Sequence, residues 1–480
     1  MFKNETENKP IARQGRKLPQ YIAALTVCLG SIASGTVWGW TGNIIGELKN
    51  KKFNNIEIDD FDIKWIGSCA PLGAMIMCLL IGIICEKLGR KLSLLILAVV
   101  LFGGWLFIIF ANSAVMIYVG RIITGMGGGG FYIAAPLYSS EIAEKEIRGA
   151  LVTIATFIPF GVMVAYIIAY VANPEIYTII VAVLPLLFAF AFIFQPETPV
   201  YSMKQGREAE ARNALIRLRG NSYDVDAELK EIKKAIEENP EVKISFKESM
   251  KKRSTKKAAT ICFSLMFLQQ ASGINAVVYY ISNIFESSGT NLDPKISTVI
   301  VGVIQVISTY VTSLIVDKLG RKPLLSISYI FMAIGLIILG VFYTLSERWL
   351  VPPHTLKSLG FMPLLGLLLY MVAFPLGCGI IPWLLPAELF PPEIKGVASA
   401  AVGTFNRFMT FLITNFYFDI KQAVGGDITF YIFSIVCVFT AIFVFPVVPE
   451  TKGKSFYQIQ KELSGKKGQF ERNEGRELDS

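Results

Sequence analysis

Apolar residues arrive in this chain in twelve blocks of about 20, separated by polar breaks. A helix rising 1.5 Å per residue needs about 20 residues to cross a hydrocarbon core of roughly 30 Å. The block length therefore predicts twelve membrane-crossing helices. Their cores run over 21–40, 65–85, 92–111, 115–138, 150–171 and 177–194, then over 258–282, 297–316, 324–345, 363–383, 397–418 and 429–448. Composition agrees: 53% of the 480 residues are hydrophobic and only 17% charged, against about a quarter charged in soluble domains. The expected division is an N-tail (1–20), a six-helix bundle (21–197), a linker (198–257), a second six-helix bundle (258–448) and a C-tail (449–480). Twelve spans put both tails on one side.

Loop charge supplies the expected orientation, because Lys and Arg stay on the cytoplasmic side. Lys49, Lys51, Lys52, Lys64, Lys295, Arg348, Lys357 and Lys421 fall in the loops assigned outside, while nearly all the rest of the 46 Lys and Arg fall in the tails, the linker and the alternate loops. Both termini are therefore expected to be cytoplasmic, in a multi-pass protein of the cell membrane. The first block lacks a small-residue cleavage site and is expected to be a retained span. This topology accounts for the formal charge of +9, so no nucleic-acid partner is called for. The run KKRSTKK at 251–257 reads as a cytoplasmic anchor before span seven, and AELKEIKKAIEE, with Leu229, Ile232 and Ile236 on one helix face, as part of an amphipathic linker.

The two halves carry the same phrases in the same order. LGRK starts at position 88 and again at 319; EIAEKEIRGA at 141 is echoed by AELFPPEIKGV at 387, and QPETP at 195 by VPETKGK at 448. A repeat at this scale means duplication of a six-span unit. Each charged phrase lies where helices leave the membrane, so its Arg can reach carboxylates on neighbouring helix ends. The groups expected to form networks are Glu86, Arg90, Glu141, Arg148 and Glu197 in one half, and Asp317, Arg321, Glu388, Lys395 and Glu450 in the other.

The duplicated acid-x-x-Gly-Arg-Lys, the PETP and PETKGK phrases and QQASGINAVVYY from Gln269 together resemble the sugar porters of the major facilitator superfamily, including facilitative glucose transporters and insect trehalose transporters. The resemblance covers residues 20–460. It implies an all-α membrane protein of that superfamily's fold: twelve transmembrane helices in two pseudo-symmetric six-helix bundles with a cytoplasmic helical linker. It also implies that the charged networks latch the cytoplasmic side in the outward-open form, and that Arg121, opening GRIITGMGGGG, belongs to that inner cluster.

A hexose needs neutral amides as paired donors and acceptors plus an aromatic wall. By resemblance, Gln269, Gln270, Asn275, Gln305, Asn406 and Trp383 match positions used for substrate, Phe374 an aromatic gate, and Tyr279 and Tyr280 the pair that closes the outside. Three positions depart from the glucose-carrier pattern: Thr156 where Gln is usual, Pro375 where Glu is frequent, and Arg407 where Trp is usual. Arg407 at mid-helix is expected to face a watery cavity or a carboxylate, donating to sugar hydroxyls, preferring an anionic substrate or binding helix-end carbonyls, and with Thr156 it is counted among the substrate-binding positions. Val37 aligns with the Asp of proton-coupled sugar porters, and span one has no acid.

The implied function is facilitated diffusion of a hexose or trehalose by alternating access, with a proton symporter or a non-transporting sugar sensor as the alternatives. No enzyme is expected, since no nucleophile-base constellation and no metal-ligand cluster occur. No cofactor, disulfide framework or obligate protein partner is called for. The partners expected are a small sugar and the lipid bilayer. The Gly125, Gly127 and Gly130 spacing matches a nucleotide fingerprint, but it lies inside an apolar span, where small residues instead permit close helix packing.

Overall fold

The computed structural model describes residues 15–49, 53–54, 56–221, 223–238, 249, 251–279, 281, 284, 293–391, 394–454 and 456–464. The first half comprises α1 (Leu18–Lys49), α2 (Asp60–Leu88), α3 (Arg90–Ile109), α4 (Ala114–Ile142), α5 (Arg148–Ala155), α6 (Ile158–Val171) and α7 (Pro174–Phe192). Next come α8 (Pro199–Lys204), α9 (Glu208–Arg219) and α10 (Val225–Glu238). The second half comprises α11 (Arg253–Ala271), α12 (Ile274–Tyr279), α13 (Pro294–Leu319), α14 (Arg321–Tyr343), α15 (Pro353–Ser358), α16 (Phe361–Leu376), α17 (Ile381–Leu389), α18 (Lys395–Val424) and α19 (Gly426–Val447), with α20 (Phe456–Ser464) after it. No strand occurs among the described residues.

Among those residues, ten stretches are long and apolar enough to cross a membrane. The other two expected spans are α4 and α18, which at 29 and 30 residues are long enough but carry Arg121, Glu141, Asn406 and Arg407. Three spans are broken within their length. Span five turns at Thr156 and Phe157, span seven at Ser272 and Gly273, span ten at 377–380. Pro382 lies within the first two positions of α17, where its missing N–H costs nothing. The break lies upstream, after α16.

Each LGRK phrase is a turn without a loop. Gly89 ends α2 and precedes the first residue of α3 at φ 91°, ψ 165°; Gly320 joins α13 to α14 at φ 90°, ψ 162°. Positive φ is open to Gly and costly for any residue with a Cβ, so the repeat seen in sequence recurs as one backbone geometry. In the span-four glycine run, a Cβ on Gly129 would lie 2.6 Å from the Cα of Ala74 on α2. The run lets α2 and α4 pack backbone to backbone, as expected of small residues in lipid.

The halves meet along α1, α2 and α6 on one side and α12, α13 and α18 on the other. Their bonds lie at the end opposite the LGRK turns. Lys64 pairs with Asp419, Lys295 with Glu47 at 3.0 Å, and Asn415 donates to the Ser68 hydroxyl at 3.0 Å. At the LGRK end no hydrogen bond or ion pair among the described residues joins the halves. The linker helices close over their own small core of Ala211, Leu215, Val225 and Leu229, and fully buried Arg219 ties them to the first half by donating to the Ile142 carbonyl at 2.7 Å.

Candidate functional site

The amides of span seven are gathered by the break in that span. Gly273, at φ 87°, interrupts the helix between Gln270 and Asn275, and the Asn275 amide then donates to the Gln270 side-chain oxygen and, at 3.5 Å, to Thr410 of α18. Gln269 donates to the Cys378 carbonyl at 2.6 Å and accepts from Asn406 at 2.8 Å. That carbonyl is free because span ten unwinds there, so a chain break supplies the acceptor. Gln269, Gln270 and Asn406 are all buried.

Beside this cluster the Arg407 guanidinium lies 5.5 Å from the Trp38 ring centroid, 4.4 Å from that of Tyr132 and 5.4 Å from that of Trp383. The Tyr132 and Trp383 rings stack at 6.5 Å. Trp38 comes from α1 and Tyr132 from α4, whereas Trp383 and Arg407 come from α17 and α18. The box is therefore built across the seam. A cation at mid-helix costs about 2.5–3.5 kcal/mol on insertion scales, and each desolvated ring contact offsets up to about 2 kcal/mol of that. Among the described residues neither a carboxylate nor a helix-end carbonyl, two of the partners expected for Arg407, bonds it. Its Nε is buried without any hydrogen-bond acceptor.

The remaining expected positions are looser. Thr156 lies half-buried at the span-five break, its hydroxyl turned back to the Val152 carbonyl at 2.9 Å. Gln305 is half-buried on α13 and its side-chain amide makes no bond among the described residues. Phe374 is half-buried at the end of α16, and its carbonyl accepts from Gly379 at 2.7 Å. Tyr280 lies outside the described residues, as do the side chains of Tyr279 and Asp317.

The charged phrases form two matching cradles. In the first, the Glu197 carboxylate accepts the backbone N–H of Arg90 at 3.1 Å and of Lys91 at 3.0 Å, while Arg90 pairs with Glu141 at 2.9 Å and Glu86 at 2.8 Å. In the second, Glu450 accepts from Arg321 and Lys322, each at 3.0 Å, and Arg321 pairs with Glu388 at 3.0 Å. Thr198 and Thr451, the threonines of the two PET phrases, each donate to the network glutamate, Glu141 or Glu388, at 2.6 Å. Each carboxylate satisfies first-turn N–H groups that a helix leaves unpaired. Burial pushes the Glu197 carboxyl above its usual range despite backbone bonds from Thr198, Lys91 and Arg90. At Glu450 burial also raises, yet the N–H groups of Lys452, Arg321, Lys322 and Thr451 outweigh it and hold the carboxyl low.

Three expected members of the networks are elsewhere. Arg148 and Lys395 are exposed, each at the first residue of its helix, and neither bonds a described residue through its side chain. Arg121 is not in the inner cluster. It precedes Glu141 by twenty positions on α4, which is about 30 Å of helix. There it donates to the carbonyls of Val37 at 2.9 Å and Ile66 at 3.2 Å and to the Thr41 hydroxyl at 2.6 Å, beside the Trp40 ring.

Trp38, Tyr132, Cys378 and the two threonines were not anticipated as functional. The threonines stood in the repeated PET phrase, and that repetition was the available signal. For Tyr132, nothing local marks a residue whose partner lies 275 positions away.

The profile of a family described as Sugar (and other) transporter matches residues 22–463. The facilitated trehalose transporter Tret1 of Culex quinquefasciatus is 35% identical over 93% of this chain and 86% of its own. That of Polypedilum vanderplanki is 34% identical over 93% and 88%. Against the Aedes aegypti transporter of the same name, also 34% identical, this chain spans about half (55%) of the relative's length. Among solved structures, the xylose transporter XylE from E. coli in an inward open conformation superposes with a TM-score of 0.76 at 25% identity, covering 92% of this chain and 98% of that one. Its form bound to 6-bromo-6-deoxy-D-glucose, a proton:xylose symporter, gives 0.70. The helix order and halves are thus those of the major facilitator superfamily, and the chain, a multi-pass membrane protein, belongs to the Sugar (and other) transporter family.

Proposed function

We propose that this protein carries a hexose or trehalose across the cell membrane by facilitated diffusion, with both termini and the LGRK turns cytoplasmic. The observation that carries the reading is the set of buried Gln269, Gln270 and Asn406 with half-buried Asn275, beside an aromatic box that spans the seam between two halves whose hydrogen bonds and ion pairs, among the described residues, lie at the end opposite the LGRK turns. Neutral amides offer a hydroxylated ring paired donors and acceptors, and each such bond nets only about 0.5–1.5 kcal/mol, which suits a carrier that must release its cargo. On this reading the conformation is open to the cytoplasm. The names of the trehalose transporters, related over 93% of this chain, support the substrate class. Gln269, Gln270, Asn275, Gln305, Phe374, Trp383 and Asn406 are the substrate positions, with the Arg90 and Arg321 cradles bracing the cytoplasmic helix ends.

Passive transport is favoured because Arg121, fully buried, donates to the backbone carbonyl of Val37, the position at which proton-coupled sugar porters carry Asp. The test is reconstitution into proteoliposomes with labelled glucose and trehalose and no ion gradient. Equilibration is expected. Accumulation beyond equilibrium that a protonophore abolishes would establish symport, and binding without flux would make the protein a sensor.

A further inference from the structure

The aromatic box leaves Arg407 with an unfilled requirement. Its side chain is nine-tenths buried, at 6% exposure, and forms no ion pair with a described carboxylate. Three rings surround it; the Tyr132 hydroxyl meets one edge of the guanidinium, and the aromatic faces stabilise positive charge but offer no lone pair in the plane of an N–H. Its Nε has no acceptor. The box is not sealed, because Trp383 touches Arg407 and Tyr132 and is still 37% exposed. Gly403, one turn before Arg407 on α18, has only the far edge of the Trp383 ring, at 3.5 Å, near the place of a Cβ. A ligand entering beside Trp383 would therefore meet a fixed cation with a free donor, next to the amides that read hydroxyls.

We infer that Arg407 selects substrates bearing a carboxylate, so that a sugar acid is preferred to the neutral sugar of the same ring. The guanidinium presents its N–H groups as a planar fork that matches the two oxygens of a carboxylate, and a desolvated cation gains most from an anion. A neutral hydroxyl meets one donor and leaves the charge uncompensated. The amides of α11 and α12 then hold the ring hydroxyls, and the rings of the box cover its apolar face. This inference rests on the reading of the chain as a sugar carrier and adds charge to the substrate class.

The test uses the full chain in proteoliposomes, with D-glucuronate, D-glucose and methyl D-glucuronate, the neutral ester of the same shape. Glucuronate is expected to inhibit labelled-glucose counterflow at a concentration at least tenfold below that of glucose, and the ester to behave like glucose. R407Q, checked for folding by gel filtration, should lower the glucuronate-to-glucose ratio tenfold or more, and R407K should retain part of it. Trp38 and Trp383 give a binding readout that needs no flux: quenching by glucuronate in the wild type and its loss in R407Q are expected. Glucose counterflow with no glucuronate preference would overturn the inference and leave the carrier reading standing. Glucuronate quenching with no counterflow of any sugar would support the inference and sink the carrier reading. An unchanged ratio and unchanged quenching in a folded R407Q would overturn it outright.

Discussion

The LGRK turn of the first half and that of the second share a backbone, a capping glutamate and a threonine-glutamate bond, yet they differ in depth. Arg90 is 2% exposed by side chain, held by Glu86 and Glu141 and covered by the Tyr201 ring of α8. Arg321 is 13% exposed, and its partner Glu388 is more open than Glu141, at 24% against 11%. The geometry recurs in both halves, and the Tyr201 ring of α8 lies over the first copy. The lesson is that equal contacts carry unequal energies, because stranding a charge costs more where water cannot reach it.

The largest expected effect comes from removing carboxylate partners of each arginine. Removing both Glu86 and Glu141 from Arg90 (Glu86→Ala with Glu141→Ala) should destabilise by about 3–5 kcal/mol, in the range for breaking a buried pair, and Glu388→Ala by clearly less, read as melting-temperature shifts in detergent. Equal shifts would break the comparison. Next, Thr198→Val and Thr451→Val each remove a hydroxyl bond to a carboxylate, for a loss of about 1.5–3 kcal/mol, again larger in the first half. Gly89→Ala and Gly320→Ala sharpen the shared part of the comparison. Both residues have φ near 90° and ψ near 160–165°, so each variant should lose about 1–3 kcal/mol from backbone strain. Gly89→Ala should lose more than Gly320→Ala, because its Cβ would crowd the Glu197 carboxylate more closely than a Cβ on Gly320, 2.8 Å from that of Glu450, would crowd its own; the reverse order would mean the turns differ in another way.

The smallest effect is pH dependence. Glu450 is held below its ordinary range, so its contribution is present above the unfolded-state value and is lost as pH falls through the lower folded value. Glu197 is raised, so its contribution is present at low pH and lost as pH rises through the folded value. Acidification should therefore weaken the second turn while relieving the first. Measuring melting temperature against pH for Glu450→Gln and Glu197→Gln checks the opposite signs; slopes of the same sign would contradict the two environments.

Much of the architecture was legible in residue order. Twelve apolar blocks became twelve spans, two of them, α4 and α18, carrying enough polar residues to stand apart from the other ten. The doubled LGRK became two glycine turns of matching φ and ψ, because a turn's requirement is local and Gly answers it wherever it recurs. The amphipathic linker packed through Leu229 as its helical periodicity indicates. The site was legible as a set of residue types, amides with an indole, but not as a set of bonds. Gln269 needed the Cys378 carbonyl, which exists as an acceptor only because span ten unwinds.

What the sequence by itself determined is therefore the helical class, the number of spans, the twofold repeat and the turns, all consequences of periodicity, length and backbone preference over short stretches of chain. Only the tertiary structure decided that Arg121 belongs with Val37 and Thr41 rather than with Glu141, that Arg148 and Lys395 stand apart from the cradles, that Arg407 sits among rings from both halves, and that Lys64–Asp419, Lys295–Glu47 and Asn415–Ser68 join the halves at the end opposite the LGRK turns. A long cationic side chain can satisfy its charge with a carboxylate, a carbonyl or an aromatic face at comparable energy. Which of these it meets depends on helices that residue order does not place side by side.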